Sequence, residues 1–175
     1  MLEARTFVND FDKAREVLKL LDAELKGEYE IHDIIFASKD PSKTLIDEFL
    51  RLRMVPKNIW NEKPFIVAIK NTEVREIGKD YTIPLKKQFD SKEEAQKFID
   101  ENLLDKFEYS FEFSRIGEQY DFSDGQVDLE DIEGFLSIEI KSKTEEGLKR
   151  LAELFDMHYT LKGPSVVAVK ELLKK

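Results

Sequence analysis

Apolar residues fall at every second position along most of this chain and at every third or fourth position in a few short stretches, which predicts a strand-rich fold interrupted by helices. The sharpest alternating run is Phe49-Leu50-Arg51-Leu52-Arg53-Met54-Val55. Side chains in a strand alternate faces, so Leu50, Leu52 and Met54 suit a core while Arg51 and Arg53 share the opposite face. A half-solvated antiparallel strand reads this way by default. The same two forked guanidinium groups also match phosphate or carboxylate oxygens.

The period places the remaining elements. Residues 2–8 form a strand with Glu3, Arg5 and Phe7 on one face and Leu2, Ala4, Thr6 and Val8 on the other. Asn9 and Asp10 offer caps for a helix on which Phe11, Ala14, Val17, Leu18, Leu21 and Leu25 recur, with Gly27 as its stop. A strand over 29–38 follows, then a polar break at Asp40-Pro41-Ser42-Lys43 and a short turn through Leu45 and Ile46. Beyond the arginine strand, a loop with Pro56, Asn58 and Trp60 leads to a strand over 64–70, where Lys70 shares a face with Ile66 and Ala68. In the strand over 81–89, Thr82, Lys86 and Gln88 lie opposite Tyr81, Ile83, Leu85 and Phe89. Asp90 or Ser91 caps a helix through Ala95, Phe98, Ile99 and Leu103. A strand over 107–115 sets Phe107, Tyr109, Phe111 and Phe113 in one row, as a core under a helix. Asp124-Gly125 turns the chain into a hairpin with 126–130, and a strand over 135–141 sets Glu139 and Lys141 opposite Leu136, Ile138 and Ile140. Thr144 caps a helix through Leu148, Leu151, Ala152 and Phe155, and the tail after Gly163-Pro164 is a strand or a short helix.

A length of 175 residues suits one domain over 1–175, built of about eight strands and three or four helices. The 28 Lys and Arg against 37 Asp and Glu give a net charge of -9, which disfavours general affinity for nucleic acid or a membrane surface. Any basic site must therefore be local. With no cysteine, disulfides, thiolate catalysis and Cys-based zinc sites are excluded. No apolar run approaches the roughly 20 residues of a membrane span, and the start of the chain lacks the apolar core of a signal peptide. The expectation is a cytoplasmic protein, monomer or homodimer.

Strand after strand carries charge on its second face: Glu3 and Arg5, Arg51 and Arg53, Lys70, Lys86, Asp128 and Glu130, Glu139 and Lys141. In a flat sheet these are solvated surface; in a sheet closed on itself they line a charged interior. Such an interior suits a polyanion, because cations grip phosphate oxygens and carboxylates hold the divalent ion that accompanies them. The period alone leaves both arrangements open.

The order Glu3-x-Arg5, an amphipathic helix, Asp33 before Phe36, Leu50-Arg51-Leu52-Arg53, a strand ending in Lys70, Arg115, and a hairpin leading to Ile138-Glu139-Ile140 resembles the CYTH superfamily over roughly residues 1 to 155. That group holds class IV adenylyl cyclases, thiamine triphosphatases and inorganic triphosphatases, the triphosphate tunnel metalloenzymes. The resemblance implies an α+β fold: a closed, antiparallel, eight-stranded barrel with helices packed outside, taking a triphosphate-bearing small molecule. It implies that Arg51, Arg53, Lys70, Lys86 and Arg115 bind the substrate, with Arg5 and Lys70 as the catalytic cations that disperse charge. It further implies that Glu3 and Glu139, with Asp128 or Glu130, hold Mg²⁺ or Mn²⁺. In a triphosphatase water attacks the terminal phosphorus; in a cyclase the ribose 3′-hydroxyl attacks the α-phosphorus.

The chain departs from the family pattern mainly in its acids. Glu3 stands for the second glutamate of Glu-x-Glu-x-Lys, Arg5 stands for the lysine, and the first glutamate is absent. The late Glu-x-Glu keeps only Glu139, beside Ser137 or Lys141, and the strand before Asp90 shows Lys86 and Gln88 where glutamates alternate. Arg115 falls in step with Phe111 and Phe113, so its place in the site requires a bulge. Two functions follow: a metal-dependent phosphohydrolase or cyclase, or a module that binds polyphosphate or nucleotide without turnover. His32 reads as a satisfied structural side chain, nothing singles out His158, and Trp60 reads as a loop anchor.

Overall fold

The computed structural model describes residues 1–161 and 163–174. Eight strands run in the order β1 (Leu2–Phe7), β2 (Glu24–Ser38), β3 (Glu48–Lys57), β4 (Phe65–Val74), β5 (Lys79–Phe89), β6 (Phe107–Phe122), β7 (Gly125–Ile132) and β8 (Phe135–Ser142). The helices are α1 (Asp12–Leu20), α2 (Lys92–Asn102), α3 (Glu145–Leu154) and α4 (Ser165–Leu173). The strands bond in the ring β1-β5-β4-β3-β2-β6-β7-β8, so the sheet is closed and antiparallel. β1 joins it through a long ladder with β8, from Leu2↔Ser142 to Phe7↔Ser137, and a single pairing with β5 at Glu3↔Lys79. No helix among the described residues is long and apolar enough to cross a membrane.

Closure turns the alternation into an inside and an outside. The outward apolar row of β1, β7 and β8 (Ala4, Val127, Leu129, Ile138, Ile140) packs under α1 and α3. The outward row of β2, β3 and β4 (Phe36, Leu50, Leu52, Val67) packs under Ala95, Ile99 and Leu103 of α2 and its exit. Two caps hold these helices in register: Ser91 Oγ accepts from the Glu94 amide at 3.2 Å, and Thr144 Oγ1 from the Gly147 amide at 3.0 Å.

The structure corrects three boundaries. α1 stops at Leu20, and β2 begins at Glu24, so Leu25 and Gly27 are strand residues. Gly27 sits at φ +147 where the β2–β6 register slips between Leu25 and Gly27, a bulge that glycine accommodates. β6 runs on to Phe122 because its far half pairs with all of β7. The tail is helical: α4 sets Val166 and Val169 against Ile35, Phe49, Phe113 and Ile132, across one end of the barrel. At the other end of the same strands, Trp60 and Ile59 pack with Tyr29, Ile31, Val55 and Ile66.

The expected row of four aromatics is split. A second slip in the β2–β6 ladder, between Ile35 and Phe36, matches Ile35 with Phe111 but Phe36 with Tyr109. Phe107 therefore lies under α2, Tyr109 is 58% exposed, and only Phe111 and Phe113 point inward. This is the bulge that Arg115 requires, and it carries Arg115 inside with Phe113.

Candidate functional site

A cavity of about 120 Å³ occupies the barrel between α4 and Trp60. Its walls carry Glu3, Asp33, Arg51, Arg53, Lys70, Arg115, Asp128, Glu130, Glu139 and Lys141. The inward-facing charges of seven strands thus converge, as the closed reading requires. Arg5 lies just behind this wall, fully buried, bonded to Glu130 and Glu139. Lys86 is not part of the cavity; its side chain is 45% exposed and paired with Glu62 in the loop before β4.

The β1, β7 and β8 side is a closed network. One terminal nitrogen of Arg5 donates to Glu130 and, at 2.6 Å, to Ser137 Oγ; the other donates to Glu139 Oε2 at 2.6 Å. The Tyr29 hydroxyl donates to the second oxygen of Glu130. Gly117 makes room for that tyrosine, since a Cβ there would stand 2.3 Å from Tyr29 Cζ. Lys141 Nζ donates to Asp128 Oδ2 at 2.6 Å and lies 3.2 Å from Glu139 Oε1.

The protonation states follow from these partners. Burial alone would raise the Glu139 carboxyl, but Arg5 and Lys141 outweigh it and hold the group well below the usual carboxylate range. Glu130 is lowered in the same way, burial being outweighed by Arg115 and Arg5. Asp128 goes the other way. Its burial and the like charges of Glu130 and Glu139 exceed the pull of Lys141, and it is pushed up to about 6.

The β3 and β4 side is not closed. Asp33 on β2 takes a two-pronged bond from Arg53 Nε and a terminal nitrogen, both at 2.8 Å, and lies 3.4 Å from Arg115. Arg51 reaches Asp33 only at 3.9 Å, and its buried Nε has no partner. Burial and the neighbouring Arg53 cation push the Arg51 guanidinium down to about 9. Lys70 makes no ion pair among the described residues; its ammonium stands 4.0 Å from the centre of the Tyr81 ring. Burial, then Arg51, lowers its pKa well below the lysine range.

These residues do not fit a divalent-ion cradle. Asp128, Glu130 and Glu139 each already hold a built-in cation, and Glu3 sits apart, 3.4 Å from the fully buried Lys79. No group of three or more His, Cys, Asp or Glu that could hold a metal ion stands together among the described residues.

Sequence reasoning placed Lys141 on the charged interior face and Asp33 in the family pattern but gave neither a role in the site, and it omitted Lys79, Tyr29 and Tyr81. Lys141 shares a face with Glu139 and was readable from it. Asp33 was obscured because β2 is apolar on both faces, with Ile31 and Ile35 inside and Ile34 and Phe36 outside. Lys79 precedes the expected start of its strand. Trp60 is more than an anchor, since it lines the cavity, packs its ring at a tilt 4.7 Å from that of Tyr29 and donates to Gln119 at 2.7 Å. His32 is satisfied on both ring nitrogens, by Ser114 at 2.8 Å and Glu112 at 2.7 Å.

No family model and no curated protein matches the chain. Solved structures share its fold. PH1819 from Pyrococcus horikoshii is 20% identical over 99% of both chains, with a TM-score of 0.70. PH1012 from the same organism is 19% identical over 89% of each chain, with a TM-score of 0.64. HpAC1 from Hippeastrum, an adenylyl cyclase candidate with a dominant triphosphatase activity, is 17% identical over 88% of this chain and 85% of its own, with a TM-score of 0.60. At these identities the likeness establishes the fold alone, a fold shared with adenylyl cyclase candidates.

Proposed function

We propose that this protein binds the phosphate chain of a small triphosphate-bearing molecule inside its barrel. The observation that carries the reading is the pair Arg51 and Lys70: two largely buried cations aimed into one cavity with no close counter-ion. A desolvated cation without a partner costs free energy, and an entering anion offsets that cost. Arg53 and Arg115, shared through Asp33, extend the donor set beside them. A chain of phosphates presents oxygens at several points, matching forked and point donors together. The net charge of -9 leaves this interior site as the place for an anion and opposes nucleic acid as the partner.

Turnover is the second reading, favoured by the fold shared with HpAC1 and its triphosphatase activity. A water oxygen would bond to the terminal phosphorus as the bond to the bridging oxygen breaks. Diphosphate and phosphate would leave, with the charge of the diphosphate dispersed over Arg51, Arg53, Lys70 and Arg115.

Calorimetric titration with inorganic tripolyphosphate tests the binding. The Arg51→Ala, Lys70→Ala double variant should bind on the order of a hundredfold more weakly, since a hydrogen bond to a charged group contributes roughly 1.5–3 kcal/mol. Parent-level affinity in that variant would sink the reading, and release of inorganic phosphate during the titration would separate turnover from binding.

A further inference from the structure

We infer that Arg5 and Lys141 stand in the place of a divalent cation, so that this barrel binds its anion without metal. The inference rests on the phosphate-chain reading above and adds how that site keeps its charge in balance.

Fully buried Arg5 is held at three points, by Glu130, Ser137 and Glu139, the last two at 2.6 Å. The two carboxylates come from neighbouring strands, β7 and β8, and the guanidinium from β1 on the far side of β8. A planar fork of fixed charge suits this spacing, and at neutral pH it does not leave. Lys141 does the same for Asp128 at 2.6 Å and for Glu139 at 3.2 Å. Every carboxylate on this side therefore has its cation supplied by the chain.

A divalent ion needs several carboxylate or water oxygens of its own. To enter here it would have to displace the fully buried Arg5, which has no path to solvent, and break the bonds of Lys141 to Asp128 and Glu139. The anion meets instead a wall whose carboxylates are already paired and, opposite it, Arg51 and Lys70 with spare charge. The mixed composition of the cavity lining, five acidic and five basic side chains, is thus divided in purpose: the acids bind the internal cations, and the remaining cations bind the ligand.

Tripolyphosphate binding measured with EDTA-treated protein, and again with rising Mg²⁺, separates the outcomes. Full affinity in EDTA is expected, with Mg²⁺ leaving it unchanged or weakening it by complexing the free ligand. Affinity at least tenfold tighter with Mg²⁺ would overturn this inference and leave the phosphate reading standing; no binding under either condition would end the phosphate reading itself. Arg5→Gln gives a second, independent readout by removing the guanidinium from Glu130 and Glu139. The variant should acquire a thermal midpoint that rises with Mn²⁺, while the parent's midpoint stays flat. A parent stabilised by Mn²⁺, or a variant indifferent to it, would show that Arg5 does not occupy the ion's place.

Discussion

The two walls of the cavity carry the same kinds of charge and differ in what is left over. On the β1, β7 and β8 side, Arg5 and Lys141 saturate Glu130, Glu139 and Asp128. On the β3 and β4 side, Arg51 and Lys70 lack close counter-ions. The first wall gives up affinity for anything else in exchange for integrity of the barrel. The second keeps an electrostatic deficit in the folded state, and such deficits mark sites where function competes with stability.

The sharpest way to break this contrast is to remove one member from each side and compare stabilities. Arg5→Ala takes the buried cation they share from Glu130 and Glu139, leaving them only Arg115 at 3.3 Å and Lys141 at 3.2 Å, and should lose about 3 kcal/mol in urea unfolding. A loss no larger than that of an exposed ion pair would mean that the network is not the structural half of the cavity.

Proton linkage offers a gentler cut. Asp128 is pushed up to about 6 by burial and its acidic neighbours, above its value in the unfolded chain. Between about pH 4 and 6 the folded chain therefore holds a proton that the unfolded chain has released, and stability from this group falls as pH rises through that window. Glu130 and Glu139, lowered on folding, act with the opposite sign, and their contribution is lost only as pH falls below the ordinary carboxylate range. Parent and Asp128→Asn, compared by thermal unfolding from pH 4 to 7, should differ in slope by an amount totalling on the order of 2 kcal/mol. Lys141 keeps Glu139 as a partner in that variant. Identical slopes would remove Asp128 from the account.

The smallest effect is expected on the open wall. Lys70→Met removes an ammonium without an ion partner and should raise stability by about 1 kcal/mol while weakening tripolyphosphate binding. A marked loss of stability would mean that Lys70 is structural after all.

Much of this was legible in the alternation of the chain. The strand faces of Glu3 and Arg5, Arg51 and Arg53, Lys70, Asp128 and Glu130, and Glu139 follow from period two, and closure of the ring made them one interior. What period two could not supply were its own interruptions. The slip between Ile35 and Phe36 decides whether Arg115 points in or out, and no residue type there announces it. Lys86 shows the converse limit: it shares parity with the interior through its partner Ala68, yet lies far enough along β5 to find Glu62 and solvent. The partitioning of charge into bonded and spare was also hidden, because it depends on distances between strands far apart in sequence.

The ladder between β1 and β8 sets the order of events in making the molecule. Arg5 meets Glu139 across 134 residues of chain, so the ring cannot close until β8 has been synthesised. Contacts of such long range are slow to form because the loop must close before they stabilise anything. Until that moment the carboxylates of β7 and β8 lack Arg5, and β1 can be held only by its single pairing with β5. Before that closure the sheet is open, and β1, which precedes the other strands in the chain, is among the last to be fixed.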